Sequence, residues 1–449
     1  MKFIDLFAGL GGFHKALHEL GHECVFASEL DTTLRDVYKM NWGIEPKGDI
    51  KKIVTHEIDS IPKHDILCAG FPCQPFSKAG KQLGREDERG TLFDEIIKIL
   101  EVRRPKFFIL ENVRFIAKHN NEETWKAMKA EFERLDYEVD HQDYSPHDFG
   151  IPQHRQRIFI VGAFGKNALK HFSFDKVDKH KKEIIQLDDF IEHNPLNAKK
   201  LPKANQDCIK LWQELIDAIP KKIRIPGFPI WGMEFGANYP YEETYPYLLS
   251  SKELGEYKGN FGISLNGLTK EEQLYNLPSY ARVDHEFPDW KQRYIKQNRQ
   301  FYKDNKNHIK EVVNKIAELP SQSWQKLEWN VGDNKRKINK YILQFRASGI
   351  RIKKRDFFPS LVCTNTQIPI IGWENRYITR KEGLKLQSLQ GLKLPENDSA
   401  AFKALGNAVN AKIVKLIASQ LLIEEKEVNN ISSKHLALNF LSKNYEPTK

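Results

Sequence analysis

Over the first 165 residues, short apolar runs alternate with stretches of helical periodicity. The run at 2–7 reads as a buried strand, and 13–20 as a helix closed by Gly21. Positions 23–28 read as a second strand and 31–40 as a second helix, and Asp49 is read as ending a short third strand. Further β-rich runs at 65–69 and 106–110 stand between helical stretches. Strand–helix alternation of this kind predicts an α/β fold with a doubly wound, mostly parallel sheet. Ligands of such sheets sit beyond the carboxyl ends of the strands. From about 166 to 348 the rhythm is lost to aromatics, Pro, Asn and Lys, and no topology can be assigned. Apolar runs return near Ile350, and 401–422 reads as a loop entering a long helix. The last 25 residues or so read as a tail, and no internal repeat is apparent.

A chain of 449 residues has room for two or three domains and needs no disulfide staples. There is no 18-residue apolar run, and the start of the chain lacks signal-peptide anatomy, so a cytoplasmic protein without a membrane span is expected. The five cysteines, Cys24, Cys68, Cys73, Cys208 and Cys363, are few, odd in number and form no C-x-x-C, which suits a reducing compartment. The net charge of +10 points to a polyanionic partner. That charge is localised. Residues 166–355 hold 35 Lys and Arg against 24 Asp and Glu, and 291–355 hold 18 against 5. The amphipathic stretch 306–319 within it equally suits a solvated helix face.

The candidate chemistry follows the strands. Phe7-Ala8-Gly9-Leu10-Gly11-Gly12 leaves the first strand and opens a helix, and its glycines allow a tight turn and close ligand approach. Glu29 ends the second strand, 18 residues after Gly11, where a carboxylate can accept from ribose hydroxyls. Asp49 can accept from an adenine amine. Together these favour an adenosine ligand over a plain turn with surface acids, without separating nucleotides from methyl donors. Cys73 lies between Pro72 and Pro75 on a rigid turn after a strand, where a thiol of lowered pKa can act as a nucleophile. The polar, glycine-containing segment 77–90 reads as a loop able to close over a substrate. Glu111, with Asn112 and Val113 at a strand end, can reach the same crevice, and a raised pKa would let it donate a proton. Arg155 and Arg157, two apart, are read as sharing a strand face, able to hold an anion or polarise a carbonyl.

In this order the glycine turn, Pro72-Cys73-Gln74, Glu111-Asn112-Val113, Gln153-x-Arg155-x-Arg157 and Gly406-Asn407-Ala408-Val409-Asn410 resemble the DNA cytosine-5 methyltransferase family of prokaryotic restriction–modification systems. The resemblance covers about 1–165 and 345–420. It implies a Rossmann-like catalytic domain at 1–165, a smaller, irregular target-recognition domain with its junction at 166–375, a return segment at 376–425 and a tail from 426. It implies S-adenosylmethionine as cofactor, seated by Phe7, Ala8, Gly9, Leu10, Gly11, Glu29, Asp49, Ile50, Pro72, Leu92, Asn407 and Val409. Cys73 would attack the 6-position of a flipped-out cytosine, Glu111 would protonate its ring nitrogen with support from Asn112, and Arg157 would bind the 2-oxo group beside Arg155. Double-stranded DNA is the implied partner of a monomer, with Gln74, Ser77, Arg89, Arg346 and Arg351 as contacts, the last two expected on the backbone near the target. Two departures stand out. Thr91 occupies a place where a small residue is commoner, and Leu30 replaces an aromatic that in some members stacks on the adenine. A tRNA cytosine methyltransferase of the same superfamily and a catalytically silent DNA-binding homologue are the alternatives.

Overall fold

The structure, a computed structural model, describes residues 1–72, 92–117, 122–183, 186–362 and 367–422. The chain forms two compact units. The first takes its described residues from 1–190, 359–362 and 380–422, and the second from 191–358 and 367–379. The sequence reading divides the chain at 165/166 and 375/376. The first unit also includes 359–362, which only long-range packing could reveal.

The first unit begins with β1 (Lys2–Leu6), α1 (Gly12–His18), β2 (Glu23–Ser28), α2 (Thr32–Trp42) and α3 (Ile50–His56). Asp31 caps α2 by accepting from the backbone N–H groups of Thr33 and Leu34, and Gly43 ends it at φ +72°. Next come β3 (Ile66–Gly70), α4 (Leu92–Arg103), β4 (Phe107–Val113), α5 (Glu123–Arg134), β5 (Tyr137–Tyr144), β6 (Gln153–His154) and β7 (Arg157–Phe164). Short helices α6 (Phe174–Asp178) and α7 (Leu187–Phe190) follow.

Six of these strands form one sheet in the order β2-β1-β3-β4-β7-β5. β2, β1, β3 and β4 pair in parallel, while β7 runs antiparallel to both of its neighbours. The sheet is therefore mostly parallel, as the alternation predicts. Its continuous apolar runs are explained by helices on both faces, which leave Ile4, Leu67, Phe108 and Ile160 fully buried. Three elements differ from the sequence reading. Asp49 ends no strand; Lys47 makes only an isolated bridge to Ser28, and Asp49 caps α3 by accepting from the Lys51 N–H. Arg155 lies outside any strand, between β6 and β7, so strand alternation is not what sets its direction. Glu111 lies inside β4, opposite Gly70 and Phe159, rather than just beyond a strand.

The second unit is regular where the sequence is hard to read. It contains α8 (Lys203–Ala218), β8 (Ile230–Trp231), α9 (Ser251–Gly255), α10 (Lys270–Tyr275) and the 29-residue α11 (Asp289–Ala317). Then come β9 (Lys326–Asn330), β10 (Ile342–Arg346), β11 (Gly349–Lys353), β12 (Phe358–Pro359), of which Phe358 belongs to this unit and Pro359 to the first, β13 (Ile370–Ile371) and β14 (Arg376–Tyr377). A sheet in the order β14-β13-β10-β11-β9-β8 shares a core with α8 and α11, built on Trp212, Ile309, Val313, Leu327 and Ile352. The strands of two to five residues are too short to print a clear alternation on the sequence.

The chain then returns to the first unit through α12 (Arg380–Leu386), α13 (Asp398–Asn407) and α14 (Ala411–Leu421). Two helices thus replace the expected loop and single long helix at 401–422. The break at Ala408-Val409-Asn410 is set by Asn410, whose side chain caps α14 at the Ile413 N–H and donates to the Leu386 carbonyl at 3.0 Å. No described helix is long and apolar enough to cross a membrane.

Candidate active site

A cavity of about 830 Å³ opens in the first unit at the carboxyl ends of β1, β2, β3 and β4. Each strand delivers one piece of its wall.

The turn after β1 is the most constrained piece. Phe7 stands at φ +56° and Gly9 at φ +53°, and both line the cavity. A non-glycine residue held there stores about 1–3 kcal/mol of strain, which the surroundings must impose. Those surroundings are a buried polar cluster. The Tyr38 hydroxyl lies 2.7 Å from His14 Nδ1 and donates to Asp5 Oδ2 at 3.4 Å. The His14 ring stacks on Trp42 at 4.1 Å, and Trp42 Nε1 donates to the Leu10 carbonyl at 3.3 Å. Burial pushes the His14 pKa down to about 3 and the Asp5 carboxyl well above the usual range. Gly11, at φ +81°, caps α1, and a Cβ there would collide with the Trp42 indole. Leu10 and Gly11 accordingly do not line the cavity; they shape the turn from behind. Ala8 does line it.

Glu29, after β2, spends each carboxylate oxygen on a backbone donor: Oε2 accepts from Gly9 N–H at 2.9 Å and Oε1 from Asp31 N–H at 2.9 Å. It thereby ties the glycine turn to the start of α2, and it lines the cavity. Asp49 and Ile50 line the cavity at the start of α3, Pro72 beyond β3, and Leu92 at the start of α4. Leu30, 72% exposed, also borders it. Two acids flanked by apolar walls are an acceptor set suited to the hydroxyls and amine of an adenosine.

The deep end is charged. Glu111 is 7% exposed, and its Oε1 accepts an ion-paired hydrogen bond from Arg157 Nε at 3.0 Å. Desolvation raises the Glu111 pKa from its ordinary value, only partly opposed by Arg157 and Arg155. The neighbouring Asn112 donates from Nδ2 to the Phe71 carbonyl at 3.0 Å, and so ties down the chain where it leaves β3. Arg155 lines the same cavity but is committed elsewhere. Its Nη2 donates to the Ala408 carbonyl at 3.1 Å, and its Nη1 to the Leu361 carbonyl and Ser360 Oγ, each at 3.2 Å. These bonds make it a strut for the returning chain.

The returning chain supplies Asn407 and Val409, which line the cavity as expected. Val409 fits because two glycines make room: a Cβ on Gly12 would meet the Val409 carbonyl at 2.5 Å, and one on Gly70 would meet Val409 Cγ2 at 3.0 Å. The sequence reading misses Ser360, Leu361 and Val362, which also line the cavity. No local pattern marks them, since distant contacts bring them there, the pairing of β12 with β6 and the Arg155 bonds among them. Cys73, Gln74, Ser77, Arg89, the expected closing loop 77–90 and Cys363 lie outside the described residues. Cys24, Cys68 and Cys208 are buried with thiol pKa values pushed up by desolvation, Cys24 and Cys208 to about 12, as inert core residues should be. Arg346 and Arg351 lie in the second unit, on β10 and β11.

A family model for C-5 cytosine-specific DNA methylase matches residues 1–226. The Type II methyltransferase M.BanI of Aneurinibacillus aneurinilyticus is 31% identical over 448 residues, spanning 96% of this chain and 97% of its own. The chain belongs to the C-5 cytosine-specific DNA methylase family. Over 228 residues this methylase is also 40% identical to the Type II methyltransferase M.HhaI of Haemophilus parahaemolyticus, covering 50% of this chain and 67% of that one. A crystal structure titled as a DNA modification methyltransferase encoded within an E. coli prophage matches the fold with a TM-score of 0.51. At 17% identity, over 94% of this chain and 98% of that one, it bears on the fold alone. This methylase is an enzyme, a DNA cytosine-5 methyltransferase.

Proposed function

We propose that this methylase transfers a methyl group from S-adenosylmethionine to the 5-position of a flipped-out cytosine in a specific double-stranded DNA sequence. The observation that carries the reading is a buried Glu111, its pKa raised by desolvation, paired to Arg157 in the same cavity as Glu29, Asp49 and the glycine turn. S-Adenosylmethionine supplies an electrophilic methyl group on its sulfonium. Glu29 takes the ribose hydroxyls, Asp49 takes the adenine amine through the oxygen not used in capping α3, and Phe7, Ile50 and Leu92 flank the ring. Ala8, Gly9, Pro72, Asn407 and Val409 line the remainder.

In this reading Cys73 adds as a thiolate to the 6-position of the cytosine, and the electron pair displaced from the 5,6 double bond makes the 5-position nucleophilic. Glu111 donates its proton to the ring nitrogen at position 3, and Arg157 holds the 2-oxo group. Once the methyl group is transferred, a base takes the proton from the 5-position, Cys73 departs as thiolate, and position 3 returns its proton to Glu111, which restores the ring and the enzyme. Taking the base out of the stack costs about a few kcal/mol, and closed contacts around the extruded base must offset this. The second unit, home of the basic stretch 291–355, is the target-recognition domain in this proposal. The names of the Type II relatives support a place in a restriction–modification pair, with the methyl mark protecting host DNA.

Base-resolution mapping of 5-methylcytosine in unmodified DNA incubated with the protein and S-adenosylmethionine tests this. A methylated cytosine at one recurring sequence is expected. Transfer to tRNA with unmodified DNA would overturn the DNA reading.

A further inference from the structure

β11 alternates cleanly. Ile350 and Ile352 point into the core of the second unit and are 1% and 0% exposed, while Arg351 and Lys353 face the other way. Arg351 stands opposite Gln344 on β10 and beside Glu328 on β9, and Arg346 closes the hairpin opposite Gly349. The sheet therefore brings Arg346, Arg351 and Glu328 to one face.

Their bonding is uneven. Glu328 accepts from Arg351 Nε at 2.7 Å, from Arg346 Nη1 at 3.2 and 3.3 Å, and from Ser348 Oγ at 3.3 Å. Arg351 is thus anchored through Nε alone. Among the described residues its terminal fork, Nη1 and Nη2, meets no acceptor, and its side chain is 32% exposed. The neighbouring cation on the strand is committed differently, since Lys353 bonds Asp356 Oδ1 and the Phe357 carbonyl, both at 3.2 Å. An arginine held at Nε with its fork turned outward has the shape that pairs with two adjacent acceptors. Guanine offers such a pair, O6 and N7, in the major groove.

We infer that Arg351, oriented by Glu328, reads a guanine of the methylase's recognition sequence. Arg351 is the specificity residue and Glu328 its positioning residue; Arg346 braces the carboxylate from the other side. The inference rests on the double-stranded DNA reading above. It replaces the expectation that Arg346 and Arg351 touch the DNA backbone.

The test begins with the sequence found by base-resolution mapping with the wild-type protein. Duplexes carrying that sequence are made with 7-deazaguanine at one guanine at a time, which removes N7 and keeps base pairing. At one position the substitution should lower wild-type kcat/KM about ten- to hundredfold. With Arg351→Ala the same substitution should have no further effect, and mapping should show other bases accepted at that position. Arg351→Lys, which keeps the charge and loses the fork, should behave like Arg351→Ala. Glu328→Gln should weaken the same 7-deazaguanine effect at that one position, a readout a purely structural role would not move. Unchanged sequence preference in Arg351→Ala and Arg351→Lys overturns this inference alone. If the wild-type protein methylates no DNA cytosine, both this inference and the DNA reading fall.

Discussion

Arg157 Nε lies 3.0 Å from Glu111 Oε1, yet the Glu111 carboxyl keeps its proton to higher pH than an ordinary glutamate. The desolvation of a nearly buried carboxylate outweighs the attraction of the guanidinium beside it. In the proposed mechanism this raised pKa is what would let Glu111 donate a proton to position 3 of the cytosine.

That balance has a sign. The folded Glu111 pKa is raised above the unfolded value, so the folded state binds this proton more tightly than the unfolded chain. Stability contributed by the protonated form is present below the unfolded pKa and lost as pH rises through the folded pKa. Glu111→Gln mimics the protonated group. Its Tm relative to wild type should rise from acid toward pH 8 in a thermal scan series, while kcat falls by about a hundredfold or more. A Tm deficit that grows with pH would contradict the assignment.

Cys73→Ser should abolish methyl incorporation while DNA binding stays measurable by mobility shift. Serine keeps the size of the side chain and loses the low-pKa thiolate, so chemistry and binding separate. Undiminished turnover would sink the covalent mechanism.

Arg155→Ala and Arg157→Ala should diverge although the residues are two apart. The first leaves the buried Ala408 and Leu361 carbonyls without their donor, at about 1–3 kcal/mol for each group left unsatisfied. It should lower Tm clearly and raise KM for S-adenosylmethionine as the Val409 segment loosens. The second removes the partner of Glu111 and should reduce kcat more than Tm. Equal profiles in both assays would refute the division of roles.

Gly12→Ala places a methyl group 2.5 Å from the Val409 carbonyl, a backbone atom that cannot rotate away. A loss of about 1–3 kcal/mol and weaker cofactor binding, read by calorimetric titration, are expected. Gly70→Ala meets only a side-chain methyl, at 3.0 Å, and should cost less.

DNA affinity should fall steeply with salt, because phosphates neutralised by lysine and arginine release counterions. The slope of log Kd against log salt should shrink by about one for each phosphate contact removed from 291–355. Arg351→Ala should change sequence preference more than it changes this slope.

Much of the first unit is written locally. The strands at 2–6, 23–28, 66–70 and 107–113 are continuous apolar runs, because each is covered on both faces, and that signal survives without tertiary knowledge. Glycines at 9 and 11, Glu29 and Glu111 are likewise legible, since a turn or a strand end fixes their position within a few residues. The rest depended on contacts between distant segments. Asp49 looks like a strand-end acid and proves to be a helix cap, a choice made by the chain reversing after a single bridge at Lys47. Arg155 and Arg157 look equivalent, and only the arrival of 360–361 and 408 turns one into a strut. Arg346 and Arg351 read alike as cations for the DNA backbone, and only β9, bringing Glu328 between them, sets their bonding apart. Sequence determined which residues could carry chemistry. Tertiary structure decided which of them were already occupied, because a side chain's free donors depend on partners tens to hundreds of residues away.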